Sequence, residues 1–302
     1  MNRRNAMQMM AALAGGAGVQ AGAQSTAMEA RPISPGAASA DRLPVIGLGT
    51  WQTFDIGAND PARPQLEDVM REFVALGGRL IDSSPMYGRS ESVAGDIIAK
   101  LNLRDKLFVA TKVWTSGKSA GITQMEDSMK KLRTRPIDLM QVHNLLDVDT
   151  HLATLAQWKR EGLVRYVGVT HYTQSAYDSV AKVIEKHKVD FLQINYSVGE
   201  RDAEKRLLPM AKERGIAVII NRPFAGGELL RRLRSAPLPA FAAEIGCTSW
   251  AQLLLKFVLA HPAVICAIPA TSRVEHLRDN MAAGSGKMPD AVMQEKIAAS
   301  IG

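Results

Sequence analysis

Arg79-Leu80-Ile81-Asp82-Ser83-Ser84-Pro85-Met86-Tyr87-Gly88 joins a short apolar run to a polar turn, with an acid standing where the run ends. Proline fixes φ and serine hydroxyls bond nearby backbone groups, so Ser83-Ser84-Pro85 reverses the chain. Asp82 and Tyr87 then face one mouth. A single strand-end aspartate reads most simply as a turn-former, so its meaning depends on what the ends of the other strands carry.

From Pro44 onward the same kind of unit recurs. Short apolar runs cover Val45–Thr50, Arg79–Asp82, Leu107–Lys112, Leu139–His143, Tyr166–Thr170, Phe191–Asn195, Ala217–Asn221 and Val264–Pro269. Several are nearly continuous in Val, Ile or Leu, as strands covered on both faces are. Between them lie amphipathic helical patterns at Leu66–Leu76, Glu91–Leu101, Ile122–Leu132, Leu152–Glu161, Ser175–His187, Lys205–Arg214 and Trp250–Leu259, with a last one at Val274–Met281. Gly77-Gly78, Gly162 and Gly215 each stand where a helix should stop before the next strand. Eight β/α units predict an α/β protein with a (β/α)8 TIM barrel over residues 43–302. An open doubly wound sheet would have fewer strands and a glycine-rich first turn, which this chain lacks.

A chain of 302 residues with 46 % apolar content suits one such barrel, commonly about 250 residues, plus a short extension. The net charge of +7 comes from Lys and Arg mixed among acids, without a long basic run. Nucleic-acid binders concentrate charge on one face, so no nucleic-acid partner is expected. A basic pocket would still attract anionic ligands such as phosphates. Cys247 and Cys266 are the only cysteines, each in an apolar setting. They read as two buried free thiols, and no metal-ligand spacing exists.

Residues 1–23 read as a cleavable export signal: Arg3-Arg4, an uncharged run from Ala6 to Val19, and Ala21-Gly22-Ala23 as an Ala-x-Ala cleavage site. The paired arginines resemble a twin-arginine signal, although Ala6 and Met7 stand where bulkier apolar residues are usual. The run is shorter and richer in glycine than the roughly 18 strongly apolar residues a membrane span needs, so no stable insertion is expected after cleavage. Export machinery is then a partner, and the mature chain is expected in the periplasm or outside the cell; without a working signal it would stay in the cytoplasm. Gly16-Ala17-Gly18-Val19-Gln20-Ala21 fits a dinucleotide fingerprint but follows no strand, so it is set aside. Residues 24–42 read as a linker.

Chemistry in such barrels sits at the carboxyl ends of the strands. The second run ends in Asp82, the third in Lys112, the fourth in His143 and the fifth in Thr170-His171, while the sixth carries Gln193 and Asn195. An acid, an amine, a phenol and an imidazole converging at one end form a coherent site. Hydride transfer to a carbonyl develops negative charge on oxygen, which calls for a positioned proton donor. Tyr87 suits that role, Lys112 would stabilise its phenolate, Asp82 would keep Lys112 charged, and His143 would bond the carbonyl oxygen.

These residues resemble the aldo-keto reductase family from Leu43 to Asn280. Leu43-Pro44-Val45-Ile46-Gly47-Leu48-Gly49-Thr50-Trp51 resembles that family's first strand, and Asp82, Tyr87, Lys112 and His143 match its catalytic tetrad in order and context. Ile268-Pro269 followed by Glu275-His276-Leu277-Arg278-Asp279-Asn280 resembles its cofactor-binding end. The resemblance implies an NADPH-dependent reductase of small aldehydes or ketones, with NADH as the alternative cofactor. It would seat that cofactor on Thr50, Trp51, Thr170, His171, Gln193, Asn221, Arg222, Pro223, Phe224, Thr271, Arg273 and Asn280. The chain departs from the pattern in three places. Thr170-His171 replaces Ser-Asn; Asn221 replaces a stacking tyrosine, leaving Phe224 or Trp51 to hold the ring; Ala270 and His276 replace basic residues, leaving Arg273 for the 2′-phosphate. Two other readings remain: a nicotinamide-binding regulatory or interaction protein without turnover, and a lyase or isomerase using Lys112 as a Schiff-base amine. The segment Arg231–Cys247 is expected to lie over the cofactor as a lid.

Overall fold

Each apolar run becomes a strand because it is covered twice, by the barrel interior on one side and by helices on the other. The computed structural model describes residues 27–33 and 41–301, so the signal and fingerprint readings lie outside the described residues. Two short strands come first, β1 (Ala30–Pro32) and β2 (Arg42–Pro44), paired antiparallel. The barrel strands are β3 (Leu48–Gly49), β4 (Leu80–Asp82), β5 (Phe108–Val113), β6 (Ile137–His143), β7 (Val164–Thr170), β8 (Phe191–Asn195), β9 (Ala217–Asn221) and β10 (Val264–Ala267). They pair in parallel and in chain order from β3 to β10. Parallel bridges Ile46 to Ala267 and Gly49 to Ala270 close the ring, with Ala267 N donating to Val45 O at 2.9 Å and Gly47 N to Ala267 O at 2.8 Å. A Cβ at Gly47 would stand 2.9 Å from the Leu80 carbonyl oxygen, so the seam needs a glycine there.

The helices are α1 (Arg63–Ala75), α2 (Ser90–Lys100), α3 (Lys118–Lys131), α4 (Val148–Arg160), α5 (Tyr177–Lys186), α6 (Leu207–Glu213), α7 (Glu228–Arg232), α8 (Trp250–Leu259), α9 (Val274–Ala282) and α10 (Ala291–Ser300). Gly77 after α1 is left-handed at φ +84°, the helix stop its position predicts. The pattern reading did not include α7 or α10. Asp290 starts α10 by accepting from Met293 N at 2.9 Å.

Alternation along the strands builds the site. Leu80 and Asp82 share an inward face, as do Phe108, Ala110 and Lys112, then Leu139, Gln141 and His143, then Phe191 and Gln193. At the amino-terminal end these positions are apolar, and Phe108, Tyr166 and Phe191 pack with ring centroids 5.5 to 6.0 Å apart. At the carboxyl end they are polar. This apolar end is the floor of the barrel, and the described part of the expected linker joins it: Ala30–Pro32 is a strand, and Ile33, 1 % exposed, packs with Leu43, Leu80 and Phe108. The composition of that segment concealed one apolar anchor, which suffices once a barrel end is open to receive it. Among the described residues no helix is long and apolar enough to cross a membrane. Cys247 and Cys266 are buried and free.

Candidate active site

Asp82 and Lys112 form the base of the site. Lys112 Nζ lies 2.6 Å from Asp82 Oδ2 and donates to Ser83 O at 2.7 Å, with the two side chains 0 % and 3 % exposed. An ammonium this far from water persists only with such partners. The other oxygen, Asp82 Oδ1, accepts from Gln193 Nε2 at 2.9 Å and Gln141 Nε2 at 3.2 Å. Gln193 Nε2 also donates to Gln141 Oε1 at 3.4 Å, and Gln193 Oε1 accepts from Thr170 Oγ1 at 3.2 Å. One closed polar layer thus spans β4 to β8. Burial, the largest single effect, pulls the Lys112 pKa down, but Asp82 and Tyr87 together raise it by more and leave the ammonium above its ordinary value.

Tyr87 stands over this pair, with Lys112 Nζ 5.0 Å from its ring centroid. Burial raises the phenol's pKa, and the Lys112 ammonium pulls it only partly back. The sequence predicts an acid strengthened by Lys112; in the folded protein desolvation is the larger effect, so Tyr87 stays protonated at neutral pH. His143 meets Tyr87 edge-on, ring centroids 6.0 Å apart at 86°. Burial, and then the charge of Lys112, push its pKa down to about 2. The imidazole is therefore neutral, with one N–H and one bare nitrogen.

The turn that presents Tyr87 is itself braced. Thr50 Oγ1 lies 3.0 Å from both Asp82 O and Ser83 Oγ, and Ser90 Oγ donates to Thr50 O at 3.3 Å. Thr50, expected as a cofactor contact, has its hydroxyl engaged in holding this turn. Trp51, Met86 and Trp114 follow the carboxyl ends of β3, β4 and β5 and are all large exposed apolar side chains. Trp114 lies 6.4 Å from His143, centroid to centroid. The mouth therefore has an apolar rim above a polar layer.

Toward the other side, His171 Nδ1 accepts from Tyr172 N at 3.0 Å and Thr173 N at 3.3 Å. Asn221 Nδ2 donates to His171 O at 3.1 Å, tying β9 to the end of β7. Phe224 is not a free platform: it is 9 % exposed and packs into the main apolar core, and Pro223 is buried beside it. The aromatic that does stand free here is Tyr172, which stacks on His171 at 5.7 Å and 9° and carries the Arg222 guanidinium 5.9 Å from its ring. Thr271 Oγ1 accepts from Arg273 N at 3.1 Å where α9 begins, and Arg273, largely exposed, lies 3.6 Å from Glu275. Asn280 is buried on α9. The Arg231–Cys247 excursion is packed down rather than free, with Leu233, Ala242, Ile245 and Cys247 in the main core.

Two side-chain atoms in this region, Asn221 Oδ1 and Arg222 Nε, are buried without a partner among the described residues. Buried polar groups are normally paired. Asn221 Oδ1 lacks a donor and Arg222 Nε an acceptor, and a nicotinamide dinucleotide, with its carboxamide N–H and phosphate oxygens, carries both, so the residues fit that group. Among the described residues no cluster of His, Cys, Asp or Glu is placed to hold a metal ion. The sequence reading passed over Gln141, Trp114 and Tyr172. Gln141 was legible as a polar residue two before His143, hence on the same face. Trp114 and Tyr172 are loop aromatics whose direction depends on the fold.

A barrel with this buried acid, amine, phenol and imidazole at its strand ends has the makings of a carbonyl-handling oxidoreductase. The model of the aldo/keto reductase family matches residues 45–299, and the chain belongs to that family. It is similar to methylglyoxal reductase YeaE of Escherichia coli (strain K12), 28 % identical over 248 residues, covering 80 % of this chain and 85 % of that protein. Pyridoxine 4-dehydrogenase of the same organism is 27 % identical over 290 residues, covering 88 % and 97 %. Among solved structures, an aldo/keto reductase from Klebsiella pneumoniae in complex with NADP and acetate superposes with a TM-score of 0.74 at 26 % identity, covering 86 % of this chain and 92 % of that one.

Proposed function

We propose that the protein reduces small aldehydes and ketones to alcohols with NADPH, Tyr87 giving the proton, with NADH as the weaker alternative. The observation that carries this reading is the buried Asp82–Lys112 pair, 2.6 Å apart, beneath a protonated Tyr87 and beside a neutral His143. When bound, the cofactor supplies a hydride to the carbonyl carbon. As the C–O π bond breaks, charge gathers on oxygen, and the Tyr87 O–H neutralises it. Lys112 stabilises the phenolate left behind until solvent returns the proton, and Asp82 keeps Lys112 charged meanwhile. His143 donates its N–H to the carbonyl oxygen and so orients the carbon. The charged Lys112 is a poor Schiff-base nucleophile, which removes support for lyase chemistry.

The cofactor is held by Gln193 and His171 at its carboxamide, with Thr170 fixing Gln193. Gln193 Oε1 has a lone pair left, and His171, whose Nδ1 already accepts, donates through Nε2. Asn221 and Arg222 gain their missing partners, while Thr271, Arg273 and Asn280 take the adenosine end. The NADP of the Klebsiella pneumoniae structure and the methylglyoxal reductase name of a relative support the cofactor and the substrate class. NADPH oxidation over a panel of small aldehydes, methylglyoxal included, tests the reading. Tyr87→Phe should lower kcat at least about 100-fold, the usual share of a general acid, without weakening NADPH binding. Bound NADPH with no aldehyde-dependent oxidation would leave a nicotinamide-binding protein without turnover and sink the reductase reading.

We propose also that Arg3-Arg4, the Ala6–Val19 run and Ala21-Gly22-Ala23 export the folded chain to the periplasm or beyond. Amino-terminal sequencing of the native protein should then begin at Gln24; an intact Met1 in a cytoplasmic fraction ends that idea.

A further inference from the structure

We propose that Ser84 is a positioning residue for this reaction: its hydroxyl donates to Nδ1 of His143 and holds the ring as the Nε2–H tautomer that addresses the carbonyl oxygen. What Nε2–H does rests on the reductase reading; the tautomer rests on geometry alone. Ser84 Oγ lies 3.1 Å from His143 Nδ1. Ser84 is fully buried, and His143 is 5 % exposed. A hydroxyl has one hydrogen and two lone pairs. Met86 N approaches Ser84 Oγ at 3.4 Å and takes one lone pair. Among the described residues, His143 Nδ1 is the one acceptor within reach of the Ser84 hydrogen.

Were Nδ1 protonated, that hydrogen would have no acceptor on a hydroxyl buried from water, a costly arrangement. With Nδ1 bare, the Ser84 hydrogen and the Nδ1 lone pair satisfy each other. The state of one ring nitrogen is set by the bond the other makes. Nε2 has no partner among the described residues, on a ring that faces Tyr87 and Trp114 at the mouth. His171 reaches the same state differently, because backbone N–H groups of Tyr172 and Thr173 occupy its Nδ1. The site thus holds two neutral imidazoles whose tautomers are set by different means, one by two backbone N–H groups with the Thr173 hydroxyl 3.3 Å away, and one by a single hydroxyl.

Two-bond 15N–1H spectra of the imidazoles, with His143 assigned by its loss in His143→Gln, read the tautomer directly and need no turnover. An inactive wild type would therefore count against the reductase reading without touching this one. The expected result is Nε2–H in the wild type and a mixture in Ser84→Ala. With it should come a five- to tenfold fall in kcat/KM, about the worth of one hydrogen bond, unchanged NADPH affinity, and recovery in Ser84→Thr. An Nδ1–H in the wild type, or an unchanged tautomer and kcat/KM in Ser84→Ala, overturns the assignment.

Discussion

Two protonation states decide what the site can do, and both are set by burial. Tyr87 must be protonated to act as an acid, and its raised pKa places loss of that proton above the ordinary tyrosine value of 10.0. His143 must be neutral to keep one bare nitrogen and one N–H, and its pKa of about 2 holds it so. With Tyr87 as the proposed acid, activity is expected below its pKa and lost as pH rises through it; the histidine adds no acid limb until pH falls toward its own depressed value. For the free enzyme kcat/KM should therefore stay flat from about pH 5 to 9 and fall only on the alkaline side. A fall between pH 6 and 7 in the pH–rate profile would mean that His143 titrates normally and is less buried than described. Arg273, proposed for the adenosine end of the cofactor, has an exposed side chain with one loose acidic neighbour, Glu275. Arg273→Ala should weaken NADPH about tenfold and leave NADH nearly unchanged. Equal affinities for both cofactors before and after the change, in fluorescence titrations, would remove Arg273 from the 2′-phosphate site.

At the level of elements, the last two barrel helices are tied by one cap. Ser249 Oγ accepts from Gln252 N at 3.1 Å at the start of α8 and donates to the Asp279 carboxylate at 2.8 Å. Gln252 Nε2 also reaches Asp279 Oδ1 at 2.7 Å. Asp279 precedes Asn280 on α9, so the cap also steadies a proposed cofactor residue. Ser249→Ala removes a cap worth about 1 kcal/mol and deprives Asp279 of a donor. We expect a loss of about 1–2 kcal/mol in urea unfolding, with kcat retained at saturating NADPH. A loss of only a few tenths would show that solvent replaces both bonds. The helix pattern does not reveal Ser249, because its value as a cap depends on Asp279, thirty residues away in the chain and adjacent only in space.

Across the whole molecule, chemistry and stability occupy opposite ends of one barrel. Inward positions are polar where the strands end and apolar where they begin, and the β1–β2 ladder lays Ile33 against the apolar end. Ile33→Ala should destabilise the fold by about 2–5 kcal/mol, as large-to-small changes in cores do, while KM and kcat stay within twofold. A changed KM would mean that the floor and the mouth are coupled. The converse holds at the mouth: Gln141 and Gln193 satisfy Asp82 from two other strands, so the site is as firmly built as the floor.

The sequence by itself determined the eight-strand barrel, because period-2 and period-3.6 patterns follow from local geometry. It also determined that Asp82, Lys112 and His143 would meet, since they stand at strand ends and a barrel brings all strand ends together. Tertiary structure alone decided which neighbours those residues meet. That Thr50 braces a turn, that Phe224 is buried while Tyr172 stands free, and that Ile33 belongs to the floor all depend on contacts between distant segments. The same holds for the direction of the Tyr87 shift. The attraction of a lysine could be foreseen from type and spacing, but the degree of burial that outweighs it exists only once the chain has closed around the ring.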